Sequence, residues 1–242
     1  MVSKRTRYIA YFSLSLVVGM GGFLTYKSLQ GNVFNTGNPL LVSAEKGGII
    51  ALVDADFDIN NLPLGWVHRI FFNTNPTKYK LAKIDGKVAL HCSTDNSGSI
   101  LARDMNIKLS EFGQLKWQWL IEKPLESDID EASEAGDDHP ARFFVIFNGD
   151  EGVRNSAEII WSNKRFAAGD YKIIGNFYHL VANGLNENVG KWHQQSVDLA
   201  ALYNKIGGKS ANPSLSLLGF FCDSDNTGGT TSAYFADVRL VK

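Results

Sequence analysis

The chain has 242 residues and a formal net charge of −1, with 44% of its residues hydrophobic and 20% charged. This length and composition suffice to bury a core and exclude a disordered chain. The balanced charge lacks the positive footprint that neutralises nucleic-acid phosphates, so we expect no nucleic-acid partner. The 23 glycines and 15 phenylalanines favour strands and tight turns.

Residues 1–27 predict a cytoplasmic stub followed by a transmembrane signal anchor. Lys4, Arg5 and Arg7 precede an uncharged run at residues 8–26. About 20 apolar residues span a bilayer, and flanking lysine and arginine favour the cytoplasmic side. No small-x-small cleavage site follows, which favours an uncleaved anchor over a removed signal peptide. We therefore expect a single-pass protein whose N-terminus is cytoplasmic and whose main domain lies across the membrane.

Three small residues, Ser15, Gly19 and Gly22, lie on one face of the predicted membrane helix. Small side chains let two helices approach closely in lipid, where packing drives association. The stripe therefore predicts an integral membrane protein partner that contacts helix 8–26. The alternative is that glycine is simply common in membrane helices.

The rest of the chain has the pattern of an all-β protein. A linker and a lead-in strand are predicted at residues 28–53, and short apolar runs separated by turn residues follow over residues 54–242. Asp85-Gly86 stands between two such runs and predicts a hairpin, because both turn residues must tolerate positive φ. About ten short strands at this spacing predict one antiparallel β-sandwich. Helical periodicity is confined to residues 198–208.

Two motifs carry a resemblance to a known family. Residues 136–147 read GDDHPARFFVIF, and residues 222–240 read CDSDNTGGTTSAYFADVRL. Together with LKWQW at residues 115–119, they resemble the bacterial family catalogued as domain of unknown function 3047 (DUF3047). The resemblance covers residues 54–242 and implies an envelope protein with a jelly-roll fold of the galactose-binding or carbohydrate-binding-module type. Together with the predicted anchor, the resemblance leads us to expect a protein of the bacterial inner membrane with its main domain in the periplasm, and it implies no activity. His139 departs from the aromatic or apolar residue that the family leads us to expect.

The first motif places two carboxylates and a guanidinium at the start of an apolar strand. Asp137 and Asp138 cannot share one strand face, so one of them is expected to face Arg142 or a turn amide. A buried carboxylate needs such a partner, and arginine is a suitable counter-ion. The alternatives are a ligand or ion site and a catalytic carboxylate pair, which requires perturbed pKa values.

The second motif ends a strand with alternating oxygen side chains at Asp223, Asp225 and Asn226. Calcium prefers about six to eight oxygen ligands, so this turn is a candidate for a structural calcium site. Asp and Asn also form turns simply by bonding to their own backbone. If the two motifs lie close together, their aspartates form one site. No other cofactor is expected, because the histidines show no metal-ligand spacing.

The tryptophans suggest a surface on which a sugar ring stacks. Trp66, in a Pro-Leu-Gly-Trp turn, and Trp192, after Gly-Lys, are the candidates for exposed rings. Trp117 and Trp119 share one sheet face, which is more typical of a core. The sequence therefore offers a glycan as a candidate ligand.

The two cysteines, Cys92 and Cys222, lie 130 positions apart on apolar strands. A disulfide is allowed if the domain folds in an oxidising compartment. Buried free thiols are the alternative, because unpaired cysteine is a common core residue.

Three functions remain open from the sequence. The main prediction is a non-enzymatic one, a membrane-anchored periplasmic binding module or accessory subunit of a respiratory, photosynthetic or envelope assembly. The anchor, the neutral charge and the sandwich all fit it. The alternative is a lectin-like carbohydrate-binding module, which rests on fold analogy. The third is a glycan-acting enzyme that uses Asp137 and Asp138, which requires two carboxylates about 5–10 Å apart in a cleft.

Overall fold

The computed structural model describes residues 48–149 and 154–242, which form thirteen strands and one α-helix. Helix α1 spans Leu199–Lys205 and begins at Asp198, whose side chain accepts a hydrogen bond from the amide of Ala201. The strands are β1 Ile49–Ala51, β2 Trp66–Ile70, β3 Lys78–Ile84, β4 Lys87–Asp95, β5 Gly98–Lys108, β6 Gln114–Lys123, β7 Arg142–Asn148, β8 Arg154–Ser162, β9 Tyr171–Ile174, β10 Phe177–Gly184, β11 His193–Asp198, β12 Ser214–Asp223 and β13 Thr230–Val241.

The strands form two sheets that pack face to face, so the all-β sandwich expected from the sequence is confirmed. The six-stranded sheet has the order β11-β6-β13-β4-β3, and β1 also pairs with β13. The seven-stranded sheet has the order β2-β5-β12-β7-β8-β10-β9. Asp85-Gly86 joins β3 to β4 with positive φ at both residues, as the hairpin prediction requires.

The purely antiparallel arrangement expected from the sequence is wrong at one pair of strands. β8 and β10 are parallel neighbours, and β9 pairs with β10 in the antiparallel sense at the edge of the sheet. The chain therefore leaves β8, forms the edge strand β9 and returns between the two as β10. Consecutive strands usually pair directly, so the strand pattern alone does not indicate this insertion.

The core lies between the sheets and is filled by alternating side chains. In β7, Phe143, Val145 and Phe147 face the core, whereas Arg142 lies on the other face. Trp117 and Trp119 are buried in the core as expected, with ring centroids 5.1 Å apart. Period-two alternation therefore sends every second residue of these strands to the outer face of its sheet.

A disulfide between Cys92 in β4 and Cys222 in β12 joins the two sheets through the core. Both cysteines are fully buried. Closing a loop of 130 residues stabilises the fold by about 5 kcal/mol in the chain-entropy account.

Within residues 48–149 and 154–242, no helix is both long enough and apolar enough to cross a membrane. The predicted anchor, with Ser15, Gly19 and Gly22, lies outside the described residues.

Candidate functional site

The two sequence motifs meet at one end of the seven-stranded sheet. Asp138 is fully buried and accepts hydrogen bonds from the Thr227 amide at 2.6 Å, the Thr227 hydroxyl at 2.7 Å and the Asn226 amide at 3.3 Å. Asp223 accepts a hydrogen bond from the His139 amide at 2.9 Å. The 136–142 and 222–228 segments are therefore two halves of one local structure.

Arg142 is the central cation of this region, on the outer face of the seven-stranded sheet. Its Nη1 donates to Glu158 Oε2 at 2.7 Å, and its Nη2 donates to Asp223 Oδ2. The guanidinium also lies 3.9 Å from the centroid of the Phe221 ring. Because the side chain is almost fully buried, its charge needs these carboxylates. The aspartate expected to face Arg142 was Asp137 or Asp138; Asp137 Oδ2 lies 3.7 Å from Nη1, whereas the sequence indicated neither Glu158 nor Asp223 as a partner of Arg142.

Asp137 is surrounded by basic side chains at the same place. Lys172 Nζ donates to its Oδ1 at 2.7 Å, and His179 Nε2 lies 3.3 Å from its Oδ2. His139 Nε2 lies 3.4 Å from Oδ1, and Arg142 Nη1 lies 3.7 Å from Oδ2. Burial raises the pKa of Asp137, but the contacts with His139, His179 and Arg142 outweigh burial and hold that pKa well below its usual range.

His179 bridges the two outer carboxylates of this region. Its Nδ1 donates to the Phe177 carbonyl at 3.1 Å, and its Nε2 lies 3.2 Å from Glu158 Oε2 as well as 3.3 Å from Asp137 Oδ2. Burial lowers the pKa of His179, but its contacts with Asp137 and Glu158 outweigh burial and raise the pKa overall. An imidazolium is therefore favoured between these two carboxylates.

Glu158 is ionised for the same reason. Burial raises its pKa, but the attraction of Arg142 and the contact with His179 outweigh burial and lower the pKa. A glycosidase needs one carboxyl group that keeps a proton near its working pH. Asp137 and Glu158 both favour the ionised form, so neither has the property of a general acid.

His139 differs from His179 although their ring centroids lie 6.4 Å apart. Its Nδ1 donates to the Trp161 carbonyl at 2.8 Å. Burial lowers the pKa of His139, with Lys172 and Arg142 acting in the same direction. The neutral ring therefore packs where the family resemblance led us to expect an aromatic or apolar residue.

We call these residues the charged cluster: Asp137, His139, Arg142, Glu158, Lys172, His179 and Asp223. The sequence indicated Asp137, Arg142 and Asp223 but not the strand residues that face them. Glu158, Lys172 and His179 come together because His179 pairs in register with Glu158 on one side and with Lys172 on the other. The available signal was one charged or imidazole side chain, Glu158, Lys172 or His179, next to apolar residues in each strand.

The candidate calcium turn brings three carboxylates together, and two of them are already engaged by protein groups. Oxygens of Asp138, Asp223 and Asp225 lie within 4.8 Å of one another. Asp138 and Asp223 already accept hydrogen bonds from protein groups, and Asn226 Nδ2 donates to the Glu134 carbonyl at 2.7 Å. Burial, and then the charge of Asp138, raise the pKa of Asp225. The geometry favours the alternative interpretation, a turn held by its own hydrogen bonds.

A second group of side chains crosses the outer face of the six-stranded sheet. Cross-strand pairing places Lys80, His91, Tyr234 and Leu120 in one line, and Trp192 lies just before β11 at its end. The ring centroids of His91 and Tyr234 are 4.5 Å apart, and those of Tyr234 and Trp192 are 6.5 Å apart. We call His91, Tyr234 and Trp192 the aromatic row, in which His91 and Tyr234 are buried and Trp192 is half-buried.

Glu122 lies beside the aromatic row with 50% of its side chain exposed. Its Oε2 accepts hydrogen bonds from the Ser232 hydroxyl at 2.7 Å and from His91 Nε2 at 3.3 Å, and its Oε1 accepts one from the Tyr234 hydroxyl at 3.0 Å. The hydrogen bond from Ser232 lowers the pKa of Glu122, and those from Tyr234 and His91 add to this against the effect of burial. The result is an ionised carboxylate held in one orientation at the surface.

The two tryptophans proposed for sugar stacking have different positions. Trp66 is only 9% exposed, since Phe57 from the preceding loop packs 4.5 Å from its ring and Phe220 lies 6.0 Å away. The expectation that Trp66 is exposed is therefore wrong. Trp192 is half-buried, and its Nε1 donates to Asp85 Oδ2 at 2.9 Å.

Comparison with known proteins identifies the family. The family described as protein of unknown function (DUF3047) matches residues 64–239, a range that contains the first motif and all but the last residue of the second. The chain belongs to the DUF3047 family. A search of curated proteins found no match to it.

Solved structures resemble this DUF3047 chain only distantly. The glycoside hydrolase domain of Endo-D from Streptococcus pneumoniae R6 is 10% identical over 73% of this chain and 21% of its own, with a TM-score of 0.34. This chain thus spans about a fifth of that protein. The family 30 carbohydrate-binding module of a Clostridium thermocellum cellulase is 10% identical over 73% of this chain and 98% of its own, with a TM-score of 0.37. A family 12 xyloglucanase from Bacillus licheniformis is 11% identical over 84% of this chain and 97% of its own, with a TM-score of 0.38. Likeness at this level transfers neither ligand nor activity.

Proposed function

We propose that this DUF3047 protein is a carbohydrate-binding module whose binding surface is the outer face of the six-stranded sheet. The observation that supports the proposal is the half-exposed, ionised Glu122 held beside the aromatic row. A sugar presents C–H groups on its ring faces and hydroxyl groups at its edge. The half-buried ring of Trp192 matches the first, and an oriented carboxylate accepts from the second.

Amide side chains extend this surface on the next line of the sheet. Gln194 in β11 pairs in register with Gln118 in β6. Gln118 is two residues from Leu120, so both glutamines lie on the same outer face as Leu120. Each amide both donates and accepts hydrogen bonds, as a sugar hydroxyl does. Glu122, Gln118 and Gln194 therefore flank the aromatic row with polar groups of the kind that fix a sugar in place.

The charged cluster is less suited to bind a ligand. Its carboxylates are already matched to Arg142, Lys172 and His179, and a ligand would have to displace one of those buried contacts. Breaking a buried ion pair is strongly unfavourable. The pKa directions of Asp137 and Glu158 likewise give no support to hydrolysis.

The disulfide supports a location outside the cytoplasm. Cys92–Cys222 joins the two sheets, and stable disulfides form chiefly in oxidising compartments. We therefore propose that the module is periplasmic and that the anchor predicted at residues 8–26 holds it at the membrane.

A second candidate function is the accessory subunit predicted from the sequence. Phe72, in the turn after β2, is 91% exposed, and Ile70 at the end of that strand is also exposed. An aromatic ring left this accessible is typical of a protein–protein contact. A partner that binds at Phe72 would support this candidate over the glycan-binding surface.

Glycan binding by the full-length protein tests the proposal. We expect Trp192→Ala and Glu122→Gln each to weaken binding to an array-identified glycan about tenfold, because each removes one anchor of the surface. Phe72→Ala is the matched control, since it removes an exposed aromatic ring elsewhere. Unchanged binding by both variants, or a loss only with Phe72→Ala, would overturn the proposed surface.

A further inference from the structure

The outer face of the six-stranded sheet is rich in lysine. Lys78 and Lys80 alternate with the core-facing Tyr79 in β3 and are exposed. Lys87 in β4 and Lys116 in β6 lie on the same face. Each is two residues from an outward-facing residue, Ala89 for Lys87 and Gln118 for Lys116. Four lysines therefore lie on the face that carries the aromatic row.

These lysines are not matched by carboxylates of the described chain. The lysine ion pairs in that part of the chain are formed by Lys108, Lys164 and Lys172 instead. On the lysine-rich face, Glu122 is engaged by Ser232 and Tyr234. Unmatched positive charge raises the local concentration of anions and steers them to the surface.

The net charge is near zero, but the acidic residues and the lysines are unevenly distributed along the chain. The segment between β6 and β7 carries seven acidic residues within positions 126–138. Most of the lysines on the outer face of the six-stranded sheet come from positions 78–87. Asp128, Asp130 and Asp137 of the acidic segment form ion pairs with Lys164, Arg165 and Lys172, whereas Lys78 and Lys80 form none within the described residues.

Lysines lie near both ends of the aromatic row. Lys80 pairs in register with His91 at one end, and Lys87 Nζ lies 5.9 Å from the centroid of the Trp192 ring at the other. Five neighbouring strands at about 4.8 Å spacing span about 19 Å, which suits an oligosaccharide rather than a single sugar.

We infer that the glycan bound at this face is acidic, a chain carrying carboxylate or sulfate groups that pair with Lys78 and Lys80 while one of its rings stacks on Trp192. This inference rests on the proposed function and adds the ligand class. The aromatic row and Glu122 favour a glycan over an anionic membrane surface, because a lipid headgroup layer needs charge but no oriented carboxylate.

The first experiment compares acidic and neutral glycans. The full-length protein is applied to an array that holds uronate, sulfated and neutral oligosaccharides, and the best acidic ligand is also offered with its carboxylates methyl-esterified. We expect acidic ligands to bind, esterification to abolish binding and added salt to weaken it. Equal or stronger binding of neutral glycans would overturn the acidic class and leave the proposed function standing. Binding of no glycan would overturn both.

The second experiment tests the lysines. We expect Lys78→Ala/Lys80→Ala to weaken binding of the acidic glycan about two- to fivefold per lysine at low salt and to reduce the salt dependence. Lys108→Ala is the control, because Lys108 is exposed and pairs with Glu111 away from this face. Unchanged affinity in the double variant would overturn the inference. So would lysine-dependent binding to phosphatidylglycerol vesicles that exceeds binding to the glycan, since the face would then be a membrane contact.

Discussion

The charged side chains on the outer faces of the two sheets differ in burial and in pairing. On the seven-stranded sheet, Arg142, Lys172 and His179 are buried, and each lies against a carboxylate. On the six-stranded sheet, Glu122 is half-exposed and the surrounding lysines are unmatched by described carboxylates. Burial makes pairing obligatory because an unpaired charge is costly away from water. Exposure removes that requirement and leaves charged groups available to a ligand.

The largest expected effect comes from removing the central cation of the charged cluster. Arg142→Ala leaves Glu158 and Asp223 buried without their guanidinium, and we expect it to lower the free energy of unfolding by about 3–5 kcal/mol. Chemical denaturation measures the change. Lys108→Ala, which breaks an exposed ion pair with Glu111, serves as the control and should have little effect. A stability loss no greater than that of the control would mean that the cluster is not held by Arg142.

The second expected effect is a pH dependence of the free energy of unfolding that comes from His179. Its pKa is raised in the folded protein, so its charged form stabilises the fold below the unfolded pKa of about 6.5, and this contribution is lost as the pH rises through the folded value. The difference in unfolding free energy between wild type and His179→Gln should therefore shrink as the pH rises from 6.5, measured by denaturation at several pH values.

His68 provides a matched comparison for that pH series. Burial lowers the pKa of His68, so its contribution is lost as the pH falls instead of as it rises. The difference between wild type and His68→Gln should not shrink with increasing pH. If both variants gave the same pH trend, the assignment of an imidazolium to His179 would be wrong.

A smaller effect is expected on the six-stranded sheet. Glu122→Ala removes a half-exposed carboxylate whose donors, Ser232 and Tyr234, can then bond to water. We expect the free energy of unfolding to fall by less than about 1 kcal/mol. Chemical denaturation of Glu122→Ala and Arg142→Ala under the same conditions gives the comparison. Similar losses of stability in the two variants would contradict the difference in charge pairing between the two outer faces.

The smallest expected effect is that of calcium. Asp138 and Asp223 already accept hydrogen bonds from backbone and side-chain groups. We therefore expect the Tm to be the same in calcium and in chelator, measured by calorimetry. A cation that binds only the folded state would raise the Tm. A rise that disappears in Asp225→Asn would restore the calcium hypothesis for this turn.

The sequence by itself determined the features that depend on neighbouring residues. Period-two alternation predicted the sandwich and the core position of Trp117 and Trp119. Turn chemistry predicted the Asp85-Gly86 hairpin, and 3.6-residue periodicity predicted a helix that α1 confirms within residues 198–208. The two motifs also identified the DUF3047 family over most of the chain. These features are local because alternation and turns are properties of a few consecutive residues.

Only the tertiary structure decided which distant residues meet. Glu158, Lys172 and His179 face Arg142 and Asp137 because β10 inserts beside β8, and no local pattern indicates that pairing. Likewise, Trp66 is buried because Phe57 packs on it, whereas Trp192 lies at the end of the aromatic row on an outer face. Strand order and register are set by the summed packing of both sheets, so residues far apart in the chain become neighbours only in the folded domain.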